Sequence, residues 1–98
     1  MRIVKTDNGT ALTIALEGRL DTTTAPELEK EIKASLNGIT DLKFDLEKLE
    51  YISSAGLRVL LSAQKIMNKQ GSMKLSGVND VVMEVFEVTG FADILTIE

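Results

Sequence analysis

Two adjacent serines stand where a short apolar segment gives way to a helical apolar pattern. Ser53 and Ser54 follow Leu49–Ile52, and the apolar residues from Leu57 onward recur at helical spacing. This spacing places Ser54 at or next to the N-cap of the predicted helix. Free backbone N–H groups and the positive end of the helix dipole meet there, and both stabilise an anion. A phosphate ester on Ser54 would therefore be stable in this protein while changing the surface that a partner contacts.

The alternative is that Ser54 is only a helix cap, because serine is among the preferred N-cap residues. Two features favour a further role. Leu57 stands where a capping box would have Glu or Gln. Gly56 falls in the first helical turn, where glycine is less favourable than alanine by about 1 kcal/mol. A helix start that lets another protein's backbone approach closely would explain this choice.

Other chemistry at Ser54 finds little support. The chain has no histidine to deprotonate the serine and no cysteine, and it lacks a Gly-x-Ser-x-Gly elbow and a phosphate-binding loop. A Ser–Lys pair would need a lysine with a lowered pKa, and Lys48 lies in a charged stretch that is expected to be exposed. Four carboxylates without a coordinating motif are expected to be solvated or to cap helices: Asp21, Asp45, Glu47 and Glu50. We therefore expect no enzyme activity, no metal and no cofactor.

Four stretches resemble the STAS domains, a family best known from bacterial anti-sigma factor antagonists. Tyr51–Leu57 resembles the family's signature, and Gly18–Asp21 resembles its Gly-x-Leu/Ile-Asp motif after the second strand. Leu42–Leu46 is similar to its central strand and Thr89–Ile94 to its closing turn, so the resemblance covers nearly the whole chain.

The family's usual pattern is Asp-Ser-Ser/Thr-Gly, and its first serine is the phosphorylated one. Ser54 matches that serine and Gly56 matches the glycine. Ser53 stands where Asp is usual and is a rival phosphate acceptor, and Ala55 stands where the second hydroxyl residue is usual. The resemblance thus implies phosphorylation at Ser54.

The resemblance also implies a partner, an anti-sigma factor that is a serine kinase. The free form would sequester this kinase and so release a sigma factor, and phosphorylation would end binding. The residues expected to bind the partner are Asp21, Ser53, Ser54, Ala55, Gly56 and Arg58. Asp21 has a simpler interpretation as part of the turn before the first helix. An alternative function within the same family is a non-phosphorylated accessory subunit of a membrane transporter.

Composition limits the remaining possibilities. Ninety-eight residues with 44% hydrophobic content and no repeat or linker predict a single domain, residues 1–98. A net charge of −4 without a basic block argues against nucleic-acid binding. No signal peptide and no apolar run of about 20 residues is present, so we expect no membrane insertion and a cytoplasmic protein. We also expect a monomer.

Strand patterning predicts the fold class, an α/β domain with one mixed sheet of four to five strands. A first strand is expected at 2–7. In the strands expected at 10–17, 42–46 and 72–76, apolar residues alternate with polar or small ones, which indicates a sheet covered mainly on one face. Right-handed crossovers in one direction then give the order 1-2-3-4, with three helices on one face. The first pair is an antiparallel hairpin signalled by Asn8-Gly9, and the rest is parallel. Gly18–Asp21 and Ser53–Gly56 would emerge together at the carboxyl ends of the strands.

Overall fold

The computed structural model describes residues 1–98 as five strands and three α-helices. In chain order these are β1 (Arg2–Asn8), β2 (Ala11–Leu20), α1 (Ala25–Ser35), β3 (Asp41–Asp45), β4 (Leu49–Ile52), α2 (Ser54–Gln70), β5 (Ser72–Ser76) and α3 (Asp80–Thr89). A short 3₁₀ turn, Phe91–Asp93, follows α3. No helix combines the length and apolar character that a bilayer span requires.

The sheet has the predicted order, β1-β2-β3-β5, with an antiparallel first pair and parallel pairs after it. Its fifth strand, β4, was not predicted and pairs with β2 in parallel. The ten residues of β2 make this possible, since β2 pairs with β3 through Ala15 and with β4 from Gly18 onward. The pairing register between β2 and β4 shifts between Gly18 and Arg19. At this irregularity β2 bends away from the main sheet and continues beside β4.

The core lies on one face of the sheet, as the alternation predicts. Leu12, Leu42 and Met73 form one row across three strands, and Ile14, Phe44 and Leu75 form the next. Residues between them on the same strands, such as Lys43 and Lys74, point to the opposite face and are exposed. One continuous cluster of 24 buried residues includes these rows and the inner faces of all three helices.

The opening hairpin turns one residue later than Asn8-Gly9 suggested. Asn8 remains in β1 and pairs with Ala11, so the two loop residues are Gly9 and Thr10. Gly9 has φ of +70°, and no residue other than glycine has a positive φ. The glycine therefore supplies the left-handed conformation alone, and Asn8 is free to extend the strand.

Buried side chains, an ion pair and caps stabilise the helices α1 and α3. Leu28, Ile32 and Leu36 bury the inner side of the α1 segment, and Lys33 pairs with Glu29 over 3.3 Å. The helix α3 forms despite its β-branched valines because Asn79 caps its start and Gly90, with φ of +81°, closes its end. The Asn79 amide also donates to the Leu49 carbonyl over 2.7 Å, which fixes α3 to β4.

Candidate functional site

The loop after β2 and the start of α2 lie side by side at the carboxyl ends of their strands. Leu20 pairs with Ile52 in the last register position of β2 and β4. The next backbone amide, that of Ser53, donates to the Leu20 carbonyl over 2.9 Å. This confirms that the two loops emerge together, and the unpredicted strand β4 is what joins them.

The two serines have different environments. Ser53 is the N-cap of α2, and its hydroxyl oxygen accepts from the Gly56 amide at 3.4 Å. Ser54 is the first helical residue, and its side chain is exposed and has no hydrogen-bond partner in the protein. The helix start is therefore capped by one serine, which leaves the hydroxyl of the other accessible to solvent.

The interior explains the glycine in the first turn of α2. Gly56 is buried, and a Cβ placed on it would lie 2.6 Å from Cγ of Leu20 and 2.9 Å from Cγ1 of Ile52. Both neighbours are buried, with at most 1% of their surface exposed. Gly56 thus lies beneath the candidate surface, where it lets the start of α2 rest directly on β2 and β4.

Asp21 organises the turn that leads into α1. Its Oδ1 accepts from the Thr23 hydroxyl at 2.7 Å, from the Thr23 amide at 3.0 Å and from the Thr24 amide at 3.2 Å. The hydrogen bond from the Thr23 hydroxyl is the largest effect on the pKa of this carboxyl and lowers it. Desolvation is the next largest and opposes it, and the bonds from the Thr23 and Thr24 amides and the Thr24 hydroxyl lower the pKa further. Thr24 is the N-cap residue, although its own side chain does not cap α1. Asp21 therefore stabilises this turn, and its side chain remains partly exposed at the surface.

An aromatic contact borders the site. The Arg19 guanidinium lies 4.6 Å from the centre of the Tyr51 ring, within cation–π range. Its Nε lies 3.9 Å from Oδ2 of Asp21. The sequence did not reveal this pair because Arg19 and Tyr51 become neighbours only through the β2–β4 pairing.

A groove of about 290 Å³ runs between the first turns of α1 and α2. Pro26 and Glu29 line it from α1, and Ala55, Arg58 and Ser62 line it from α2. Arg58 is exposed and makes no ion pair, whereas Glu29 is already paired with Lys33. The groove was not foreseen from the sequence, since the angle between two helices is not encoded in a local pattern.

The structure thus gathers Asp21, Ser53, Ser54, Ala55 and Arg58 around one helix start. It brings together no group of three or more acidic side chains that could hold a metal ion. An exposed hydroxyl, an unpaired guanidinium and a shallow groove are features suited to contact with another macromolecule.

Known proteins resemble this chain in sequence and in fold. The model of the STAS domain family matches residues 2–98. A Bordetella bronchiseptica protein named as an anti-sigma factor antagonist, BtrV, is 40% identical over 88 residues, which cover 88% of this chain and 76% of that protein. The anti-sigma-B factor antagonist of Bacillus subtilis is 30% identical over 91 residues, 92% of this chain and 84% of the relative.

A solved structure shows the same fold at lower identity. The Bacillus cell-fate determinant SpoIIAA in its phosphorylated form superposes with a TM-score of 0.77 at 17% identity, over 99% of this chain and 91% of that one.

Proposed function

Because the chain belongs to the STAS domain family, we propose that it is an anti-sigma factor antagonist whose binding is switched by phosphorylation of Ser54. The free form binds an anti-sigma factor that is also a serine kinase, and a sigma factor is thereby released. The main observation behind the proposal is the hydroxyl of Ser54, which is exposed and forms no hydrogen bond within the chain. The adjacent Ser53 already serves as the N-cap of α2.

The modification is a phosphoryl transfer from a nucleoside triphosphate held by the kinase. The Ser54 oxygen bonds to the γ-phosphorus, the bond from that phosphorus to the bridging oxygen breaks, and the nucleoside diphosphate leaves. The hydroxyl proton passes to a base on the kinase, since this chain offers no histidine. The role of this protein in the reaction is to present an accessible oxygen.

Phosphate affects the fold and the interface in opposite ways. It adds about −1.5 to −2 charges at neutral pH. Within the protein, the amides at the start of α2 and the helix dipole offset that charge, so the fold should change little. At a packed interface the same group would be desolvated close to the acidic residues Asp21 and Glu50, which costs several kcal/mol.

Surface charges define the rest of the interface. We propose that the partner covers Asp21, Ser53, Ser54, Ala55 and Arg58, while Gly56 supports this surface from below. Arg58, which has no ion pair within its own chain, is suited to meet an acidic group on the partner. The groove beside Pro26 can receive a side chain from the partner.

Intact-mass spectrometry tests the modification. The anti-sigma factor kinases encoded in the source genome are purified and incubated one by one with ATP and the protein. We expect one of them to add a single phosphoryl group to the native chain and to Ser53→Ala, and none to Ser54→Ala. Addition to Ser54→Ala would overturn Ser54 as the acceptor and point to another residue such as Ser53. No addition to the native chain by any active kinase would overturn the phosphorylation switch and favour the transporter-subunit function.

Calorimetry with the same kinase tests the switch. Ser54→Ala should bind with near-native affinity, whereas Ser54→Asp should bind about a hundredfold more weakly, a loss of about 2.7 kcal/mol. Thr10→Asp provides a matched control, because it introduces the same charge at an exposed hydroxyl residue in the turn at the far end of the sheet. Equal affinities for the two Ser54 variants would contradict a charge-based switch.

A further inference from the structure

The cationic side chains of this protein differ in whether they already have a partner within the chain. Arg19 is engaged by the Tyr51 ring and lies near Asp21. Lys5 and Lys43 have ion pairs with Glu31 and Glu98. Lys33 pairs with Glu29, the carboxylate that lines the same groove as Arg58. Arg58 is an exposed cation of α2 with no ion pair in this chain. It is therefore the available positive charge beside the proposed acceptor.

Helix geometry places Arg58 next to Ser54. The two residues are separated by four positions in one uninterrupted α-helix, Ser54–Gln70. Side chains four residues apart lie on the same face with Cβ atoms about 5–6 Å apart, and an acidic group N-terminal to a basic one is the favoured order. A guanidinium can reach across one turn and donate two hydrogen bonds to phosphate oxygens.

We propose that Arg58 is the internal counter-ion of phosphorylated Ser54. This inference rests on the proposed function and adds a second element to the switch. In the unmodified protein the guanidinium is free to meet an acidic group of the partner. After phosphorylation it turns to the phosphate of its own chain, so the modification adds a negative charge and also withdraws a positive one from the partner-binding surface.

The second ionisation of the phosphate reports the pairing directly. A neighbouring cation favours the dianion, so the pKa of phosphoserine in the native chain lies lower than in a variant without it. For a unit charge at about 5 Å in a water-like medium the shift is about 0.5 unit. Arg58→Gln should raise this pKa by that amount, and Arg58→Lys should restore most of the difference.

The test is a ³¹P NMR titration of protein in which phosphoserine is incorporated at position 54 during translation. The kinase is then not needed, so failure of the proposed phosphorylation and failure of this pairing remain distinguishable. Lys65→Gln is the matched control, since Lys65 is an exposed cation on the same helix about 16 Å further along. At this distance salt screens the charge, and a shift below about 0.1 unit is expected.

Two results would overturn the inference. One is an equal phosphate pKa in the native chain and in Arg58→Gln. The other is an equal shift in Arg58→Gln and Lys65→Gln, which would indicate a general effect of net charge. A rise confined to Arg58→Gln and reversed by Arg58→Lys supports a specific ion pair. Because Arg58 is exposed, all of these variants are expected to fold, and far-UV circular dichroism verifies this.

Discussion

Replacing Gly56 by alanine separates helix propensity from packing at the start of α2. Propensity alone favours the alanine by about 1 kcal/mol. Packing opposes it, since the new methyl group would meet Cγ of Leu20 at 2.6 Å and Cγ1 of Ile52 at 2.9 Å. The Leu20 Cγ atom is the branch point of a fully buried side chain and cannot simply rotate away.

The magnitudes decide the sign of the effect. Insertion of a methyl group into a well-packed interior costs about 1–3 kcal/mol. After the propensity gain of about 1 kcal/mol is subtracted, Gly56→Ala should destabilise the protein by up to about 2 kcal/mol. For a domain of this size each kcal/mol corresponds to roughly 4–8 °C in Tm. The change is therefore measurable by thermal and urea unfolding followed by far-UV circular dichroism.

A double-mutant cycle with Leu20→Ala identifies the contact responsible. Leu20→Ala alone should cost about 2–5 kcal/mol, because it leaves a cavity in the core. In that background the atoms closest to the new methyl group are gone, so Gly56→Ala should cost about 1 kcal/mol less than in the native chain. An unchanged cost in both backgrounds, or a gain in stability in the native one, would refute the packing argument.

The same variant tests the alternative role of Gly56 in partner binding. If the glycine serves mainly to admit a partner's backbone, Gly56→Ala should raise the free energy of unfolding by about 1 kcal/mol through helix propensity and abolish binding of the kinase in calorimetry. The burial of Gly56 predicts reduced stability instead, with binding retained wherever the protein is folded.

Three further predictions concern the same region and the adjoining helix. Ser53→Ala should lower the free energy of unfolding in urea by about 0.5–1 kcal/mol through loss of the cap. An unchanged free energy of unfolding would show that the 3.4 Å hydrogen bond from the Gly56 amide to Ser53 does not stabilise the protein. Gln64→Leu should raise the same free energy by about 1 kcal/mol, because Oε1 of Gln64 is buried without a partner; a loss of stability would indicate that the Gln64–Asn68 hydrogen bond matters more. Asp21→Ala should destabilise the protein at pH 7 and progressively less as the pH falls from about 3.8 through the lower pKa of the folded state, whereas a pH-independent difference between the two urea series would contradict the role of the charged form.

Alternating apolar residues, the Asn8-Gly9 turn and the handedness of crossovers together predicted the order and direction of the four main strands. The fifth strand was not predicted because Leu49–Ile52 has only four residues and follows the charged pair Glu47-Lys48. An alternating apolar pattern cannot be recognised over so short a segment. Its pairing with β2 depends on the length of β2 and on the shift at Gly18, which are properties of the assembled sheet.

Some features of the candidate site could likewise be predicted from the sequence, and others could not. Ser54 and Asp21 could be singled out because helix starts and strand ends leave local signals. The Arg19–Tyr51 contact and the groove beside Pro26 could not, since each depends on two distant segments. Gly56 was noticed for the right reason, its cost in a helix, but the side chains that require it become visible only in three dimensions.

The direction of the strands offers a practical opportunity for labelling. The serines follow the carboxyl end of β4, beside that of β2. At the other end of the sheet, where β2 and β3 begin, Asn8 is the exposed last residue of β1 and Asn37 is exposed in the connection before β3. The chain has no native cysteine, so a single thiol introduced at Asn8 or Asn37 would be the unique attachment point for a fluorophore. Such a reporter could follow encounter with a kinase in real time without competing for the contact area.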